Sequence, residues 1–408
     1  MKLLSEALRG KALKQVARRF IDRRTLTIAG AAALLGGCAV IPEISEPTTT
    51  ASAPVEETRP APPTPSPTAL PTDATRHRVA LLVPITGGTG EVGQSLANAT
   101  TMALLDTNAS NLRITTYDTS KGAAAAARQA IADGNRLILG PLLADNVPAV
   151  LAVARPAQVP AIAFSNDTSV ATSDVLVMGH IPEQSINRSV RYAREKGLRN
   201  FAALLPDGDY GERSYSALTS AIRTHGGNLS AYERYTRSNT SIVGAAQRLR
   251  TRGGYDTVLI ADGARLSVRA ADELKRSSTS TQILGTELWS GESEPTQAAS
   301  LNGAIFSAVS DRRFKRFSDS YEARFGGKPY RIATLGYDSV LLTLRIARDW
   351  NVGDRFPKSR LFDAGGFLGV DGPFRFGSTG IVERALEVRE VRGRSVVSVA
   401  AAPTSFGN

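Results

Sequence analysis

Between residues 77 and 261 the sequence alternates repeatedly between short apolar runs and longer segments of helical period. That alternation restricts the chain to an α/β architecture. Val79-Ala80-Leu81-Leu82-Val83 is apolar at every position, as in a strand buried on both faces. Strands are expected at 77–84, 112–117, 136–139, 160–164 and, shorter, 175–179, with helices at 94–106, 123–132 and 146–154. The pattern then restarts. Helices are expected at 183–196, 210–225 and 242–251, with strands at 201–205, 230–235 and 257–261. Two runs of βαβ units of similar size predict two parallel sheets, each flanked by helices. A body of about 320 residues exceeds one core and suits two lobes.

Ligands of such sheets bind beyond the carboxyl ends of the strands. The loops there are 86–88, 140–143, 165–168, 207–210, 262–263 and 286–287. They are mostly polar or rich in glycine, and none pairs a nucleophile with a nearby base. The expectation is a cleft that binds without catalysis. Gly88-Thr89-Gly90-Glu91-Val92-Gly93 matches G-x-G-x-x-G, and Asp118 lies where a ribose-binding acid would stand. An exported NAD-dependent oxidoreductase is therefore the poorest of the alternatives. Glu91 opposes it by placing negative charge among the amides that would hold a pyrophosphate. The loop is also longer than the tight fingerprint turn. No cofactor is expected.

The N-terminus has the layout of a secretory signal. Eight basic side chains precede a short apolar run at 26–35, which is too short to span a membrane at roughly 20 residues. Leu35-Gly36-Gly37-Cys38 resembles a bacterial lipobox, which implies lipidation of Cys38 after removal of residues 1–37. Arg23-Arg24 leaves both the general secretory and the twin-arginine routes open. Cys38 is the only cysteine, so its lipidation removes disulfides, thiolate metal sites and cysteine nucleophiles. His77, His180 and His225 show no ligand spacing, and no metal is expected. Residues 1–37 carry eight basic and two acidic groups, so six units of the formal net charge of +11 leave with them. The remainder is too small to argue for nucleic acid. Residues 38–76 are rich in Pro, Thr, Ser and Ala and predict a disordered tether. In polyproline II form it would reach roughly 100 Å.

Beyond this, the body resembles the type I periplasmic binding proteins, in the leucine/isoleucine/valine-binding branch. The resemblance rests on Phe317, Tyr321, Phe325-Gly326, Pro329, Ala333 and Gly336-Tyr337-Asp338, and on Gly369-Val370-Asp371-Gly372 with Phe376. Gly140-Pro141 and Asp207-Gly208-Asp209-Tyr210-Gly211 add to it. It implies two lobes joined by three crossovers and closing on a ligand. Lobe one would be about 77–180 and 310–368, and lobe two about 181–309 and 369–402. It also implies ligand contacts from Ser165, Thr168, Tyr210 and Glu287, with Glu287 offering a carboxylate to an ammonium group. The family's serine shortly after the third-strand glycine is absent here, where the sequence reads Gly140-Pro141-Leu142-Leu143-Ala144. A second group with this fold, the lipoprotein activators of penicillin-binding proteins, also resembles the chain in its lipid anchor and tether. The functions implied are amino-acid uptake or sensing with an ABC permease, or activation of a peptidoglycan synthase. Either places the protein in the periplasm on a lipid anchor. Ala39-Val40 favours the outer membrane in a Gram-negative host.

Overall fold

The computed structural model describes residues 75–276, 279–404 and 406. The signal segment expected at 1–37, Cys38 and nearly all of the tether expected at 38–76 lie outside the described residues. Among the described residues no helix is long and apolar enough to cross a membrane.

The first run of βα units builds β1 (His77–Val83), α1 (Gly90–Asp106), β2 (Leu112–Asp118), α2 (Ala123–Ala132), β3 (Leu137–Leu139), α3 (Val147–Ala154), β4 (Ala161–Ala163) and β5 (Val175–Val177). Their sheet is wholly parallel, in the order β2-β1-β3-β4-β5. The apolar run of β1 is buried on both faces, as its composition requires.

The second run builds α4 (Pro182–Glu195), β6 (Asn200–Pro206), α5 (Asp209–His225), β7 (Asn228–Tyr235), α6 (Asn239–Arg252), β8 (Thr257–Ile260), α7 (Ala264–Leu274), β9 (Gln282–Leu284), α8 (Glu294–Gln297) and β10 (Ile305–Ala308). Strands β7-β6-β8-β9-β10 repeat the order of the first sheet. After them come α9 (Phe314–Phe325), α10 (Ala333–Ala347), β11 (Phe367–Gly369), β12 (Gly372–Phe376), β13 (Val382–Arg384), β14 (Glu387–Arg392) and β15 (Ser395–Ala400). The β14–β15 hairpin extends the second sheet antiparallel to β10.

The chain crosses between lobes three times: between β5 and α4, between β10 and α9, and between β13 and β14. The lobe division expected at residue 369 falls too early. Phe374, Phe376 and Val382 are buried in the core of the first lobe, and Ile381 bridges Val177 of β5. Residues 369–384 therefore complete lobe one, and only the β14–β15 hairpin joins lobe two.

The signature residues have packing roles. Phe317, Tyr321 and Phe325 stand at i, i+4 and i+8 on α9, with rings 4.8–6.1 Å apart. Phe317 and Tyr321 meet Ala99 and Met102 of α1. Gly336 lets α10 lie against α1, since a Cβ there would fall 2.6 Å from the Leu96 carbonyl.

Candidate functional site

Strand β6 ends at Pro206, and Gly208 turns the chain with φ +95° into α5. Gly211 packs so closely that a Cβ would stand 1.7 Å from the Pro206 carbonyl oxygen. This holds Tyr210 in the first turn of α5, half-buried, at the carboxyl edge of the sheet. Glu287 arrives from the end of β9, in a single 3-10 turn. Below that turn, the Trp289 indole N–H donates to the Asp262 carbonyl at 3.1 Å, which anchors it in the core.

The structure brings Tyr210 and Glu287 together. The Tyr210 hydroxyl donates to Glu287 Oε1 at 3.0 Å and lies 3.1 Å from Thr286 Oγ1. Glu287 Oε2 is buried without a hydrogen-bond partner. Burial pushes the Glu287 carboxyl up to about 7, and the tyrosine hydroxyl does not offset it. Burial, and then the Glu287 charge, raises the Tyr210 phenol well above its ordinary range.

Ser165 and Thr168 lie on the loop after β4 in lobe one, and neither lines a cavity beside the Tyr210–Glu287 pair; of this loop Asn166 does. Ser165 is buried, and its Oγ accepts from the Asp167 N–H at 3.0 Å. Thr168 is half-buried and opens a 3-10 turn, where Asp167 Oδ1 accepts from Ser169 N–H at 2.9 Å. The link between this loop and lobe two is a residue that sequence reading missed. Arg213 on α5 donates to the Asn166 carbonyl at 2.5 Å and twice to Glu183 at 2.8 Å. Its place three residues after Tyr210 on one helix face was the available signal.

Two cavities flank the Tyr210–Glu287 pair. On the tyrosine side one of about 650 Å³ is lined by Asn166, Arg237, Asp262 and Glu292. That size suits a small-molecule ligand. On the glutamate side a cavity of about 10 Å³ reaches the hinge, against His180, Gln184, Ser290 and Arg384. Leu142, where the family resemblance expects a serine nearby, is buried in the core and offers no hydroxyl.

The hinge itself is charged. Asp371 is fully buried and serves three partners. Arg331 Nη1 donates to Oδ1 at 2.7 Å, His180 Nε2 lies 2.7 Å from Oδ2, and the Thr334 hydroxyl donates to Oδ2 at 2.9 Å. Burial opposes its charge, but Arg331 and His180 hold its carboxyl far below the usual range. Burial pushes His180 down. Asp338 is fully buried too. It stands within α10 and accepts the N–H groups of Val370 at 2.6 Å and Asp371 at 3.3 Å. Burial and the Asp371 charge raise its carboxyl. A Cβ on Gly369 would fall 2.2 Å from that carboxylate, so glycine is required there. On the second crossover, Asp311 and the Val309 carbonyl are bound by Arg389 of β14.

The residues of the dinucleotide-like motif are occupied structurally. Asp118 accepts the N–H of Ile85 at 2.9 Å and of Ser120 at 3.0 Å, fixing the loop after β1. Glu91 accepts the Tyr330 hydroxyl at 2.8 Å. Among the described residues no cluster of three or more His, Cys, Asp or Glu could hold a metal ion.

The periplasmic binding protein family matches residues 77–394. The chain belongs to that family. A partial relative is the uncharacterized protein RP748 of Rickettsia prowazekii, 27% identical over 173 residues, which are 42% of this chain and 46% of that protein. The chain thus matches about half the length of that relative. Among solved structures, the fold is similar to the branched-chain amino acid transporter substrate-binding protein LivJ of Streptococcus pneumoniae in complex with isoleucine. That match has a TM-score of 0.62 and 17% identity, and covers 80% of this chain and 100% of that one. It is also similar to a solute-binding protein of an ABC transporter from Rhodopseudomonas palustris BisB5 in complex with 3,4-dihydroxybenzoic acid. There the TM-score is 0.63 and the identity 18%, with 81% and 96% of the two chains covered. As a periplasmic binding protein, this family member belongs outside the cytoplasm.

Proposed function

We propose that this periplasmic binding protein is a non-catalytic, lipid-anchored receptor that grips a small amino-acid-like ligand between its lobes. One observation carries the reading: Glu287 Oε2 is buried and unpaired at the lobe junction. An isolated buried carboxylate is costly, and a ligand ammonium group would relieve it. Tyr210 orients the carboxylate, and the Ser165 and Thr168 loop would approach the ligand from the other lobe. Closure would then exchange an open state for one that an ABC permease recognises. Cys38 and the 38–76 segment would moor the body to a membrane, the outer one if the host is Gram-negative.

Calorimetric titration with isoleucine and with 3,4-dihydroxybenzoate tests the reading. Micromolar binding of isoleucine, lost at least a hundredfold in Glu287→Gln, is the expected result. Binding of both probes unchanged by that substitution would contradict it.

The pH dependence follows from the same group. Its carboxyl is pushed up to about 7, so it is mostly protonated at pH 6 and ionised at pH 8. A cationic partner needs the ionised form, so affinity should rise about tenfold from pH 6 to pH 8. The ligand-free protein should behave oppositely. The folded state binds the extra proton between the unfolded value near 4.3 and about 7, so stability falls across that window as pH rises. Glu287→Gln should then unfold later than wild type at pH 8, by about 1–3 kcal/mol, and gain nothing at pH 4.

A second reading, activation of a peptidoglycan synthase, is favoured by Arg213. That side chain bridges the lobes directly to the Asn166 carbonyl, a contact that suits a regulator held closed. Silence toward both probes, together with co-purification of a penicillin-binding protein, would select it.

A further inference from the structure

Arg384 closes β13, just before the third crossover, and its side chain is 1% exposed. One nitrogen, Nη2, donates to the Met178 carbonyl at 2.7 Å. The other two, Nε and Nη1, are buried without a hydrogen-bond partner. The nearby carboxylate oxygen, Asp371 Oδ2, is 4.0 Å from Nη1 and already engaged by His180 and Thr334. Buried donors left unpaired cost free energy, so a guanidinium kept in this state points to an acceptor supplied from outside the chain. Arg384 and, from lobe two, Glu287 line one and the same small cavity. A guanidinium with two N–H groups free and a carboxylate with one oxygen free thus line one space at the hinge. The loop after β3 reads Gly140-Pro141-Leu142-Leu143 and carries no hydroxyl for an anion.

We propose that Arg384 is the anion-binding residue of the cleft. The molecule gripped between the lobes carries a carboxylate, which accepts the free N–H groups of Arg384 while its donor end meets Glu287. The inference rests on the reading of the cleft given above and extends it to the ligand's chemical class. A guanidinium suits this task because it stays charged and is weakly hydrated, so it tolerates burial better than an ammonium group. With the lobes as they stand the cavity is about 10 Å³, room for a single water. The carboxylate would therefore enter with the hinge open. The residue that holds it lies beside a crossover, so ligand seating and lobe closure involve the same short segment.

The test compares each acid with its neutral amide by calorimetry: isoleucine against isoleucinamide, and 3,4-dihydroxybenzoate against its carboxamide. The mature wild-type chain should bind at least one acid at least tenfold tighter than its amide. Arg384→Gln should reduce that ratio to about one, and Arg384→Lys, which keeps the charge that the hinge needs, should lower it at least threefold. An undiminished ratio in Arg384→Lys, or in a folded Arg384→Gln, overturns the proposal. If Glu287→Gln abolishes binding while the Arg384 variants keep full discrimination, the cleft reading stands and this inference falls. If the wild-type chain binds none of the four probes, both fall.

Discussion

Asp371→Ala should lower the unfolding free energy by about 4 kcal/mol, the scale seen when one partner of a buried ionic group is removed. The carboxylate is fully buried and is the shared counter-charge of the hinge. Arg331, itself only 11% exposed, would lose a 2.7 Å contact, and His180 and Thr334 would lose their acceptor. Arg384 would lose its nearby negative charge. Asp371→Asn preserves the shape and most hydrogen bonding but not the charge, so it should cost nearly as much. Urea denaturation of the three chains measures this. A loss under 1 kcal/mol in both variants would mean that the hinge arginines are compensated elsewhere. Because these groups tie the first and third crossovers to α10, the same variants should also loosen the geometry between the lobes.

The second large effect is steric and follows the G-x-G-x-x-G segment. A Cβ on Gly93 would stand 1.7 Å from the Pro84 carbonyl oxygen, one on Gly90 would stand 2.8 Å from that of Ile85, and one on Gly88 would meet nothing within 4 Å. Alanine substitution should therefore destabilise in the order Gly93, then Gly90, then Gly88. The first should cost about 3 kcal/mol or more, because backbone must move, and the last little. Lobe two repeats the arrangement at Gly211 against Pro206. Gly211→Ala should cost as much as Gly93→Ala and also shift Tyr210 off Glu287, so ligand affinity should fall with stability. Thermal unfolding of the four variants gives the order. A Gly88→Ala effect as large as that of Gly93→Ala would refute the packing account and reopen a phosphate-binding role for the loop.

Much of the fold was legible because its causes are local. Apolar runs such as 79–83 and 201–205 are buried strands, and the spacing of Phe317, Tyr321 and Phe325 states a helix face directly. The boundary at 369 was not legible. Strands β12 and β13 have the same mixed pattern as β14, and only tertiary packing decides which sheet receives them. The candidate site divides in the same way. Tyr210 and Glu287 lie in the first turns after strand ends, where a parallel sheet exposes its functional groups, and the structure joins them. Arg213 and Arg384 matter only once the two lobes face each other across the hinge. An arginine in a helix or at a strand end looks in sequence like an ordinary solvated charge. The role of Asp338 was hidden for a related reason. Its partners, the amides of Val370 and Asp371, are more than thirty residues away.

Crystallography of the protein purified from its own periplasm, without added ligand, examines the gripping cleft most directly. The account predicts density for a small molecule between the lobes, with a donor group against Glu287 Oε2. An empty cleft in which Glu287 Oε2 remains unpaired, or a molecule bound on the outer surface instead, would contradict it.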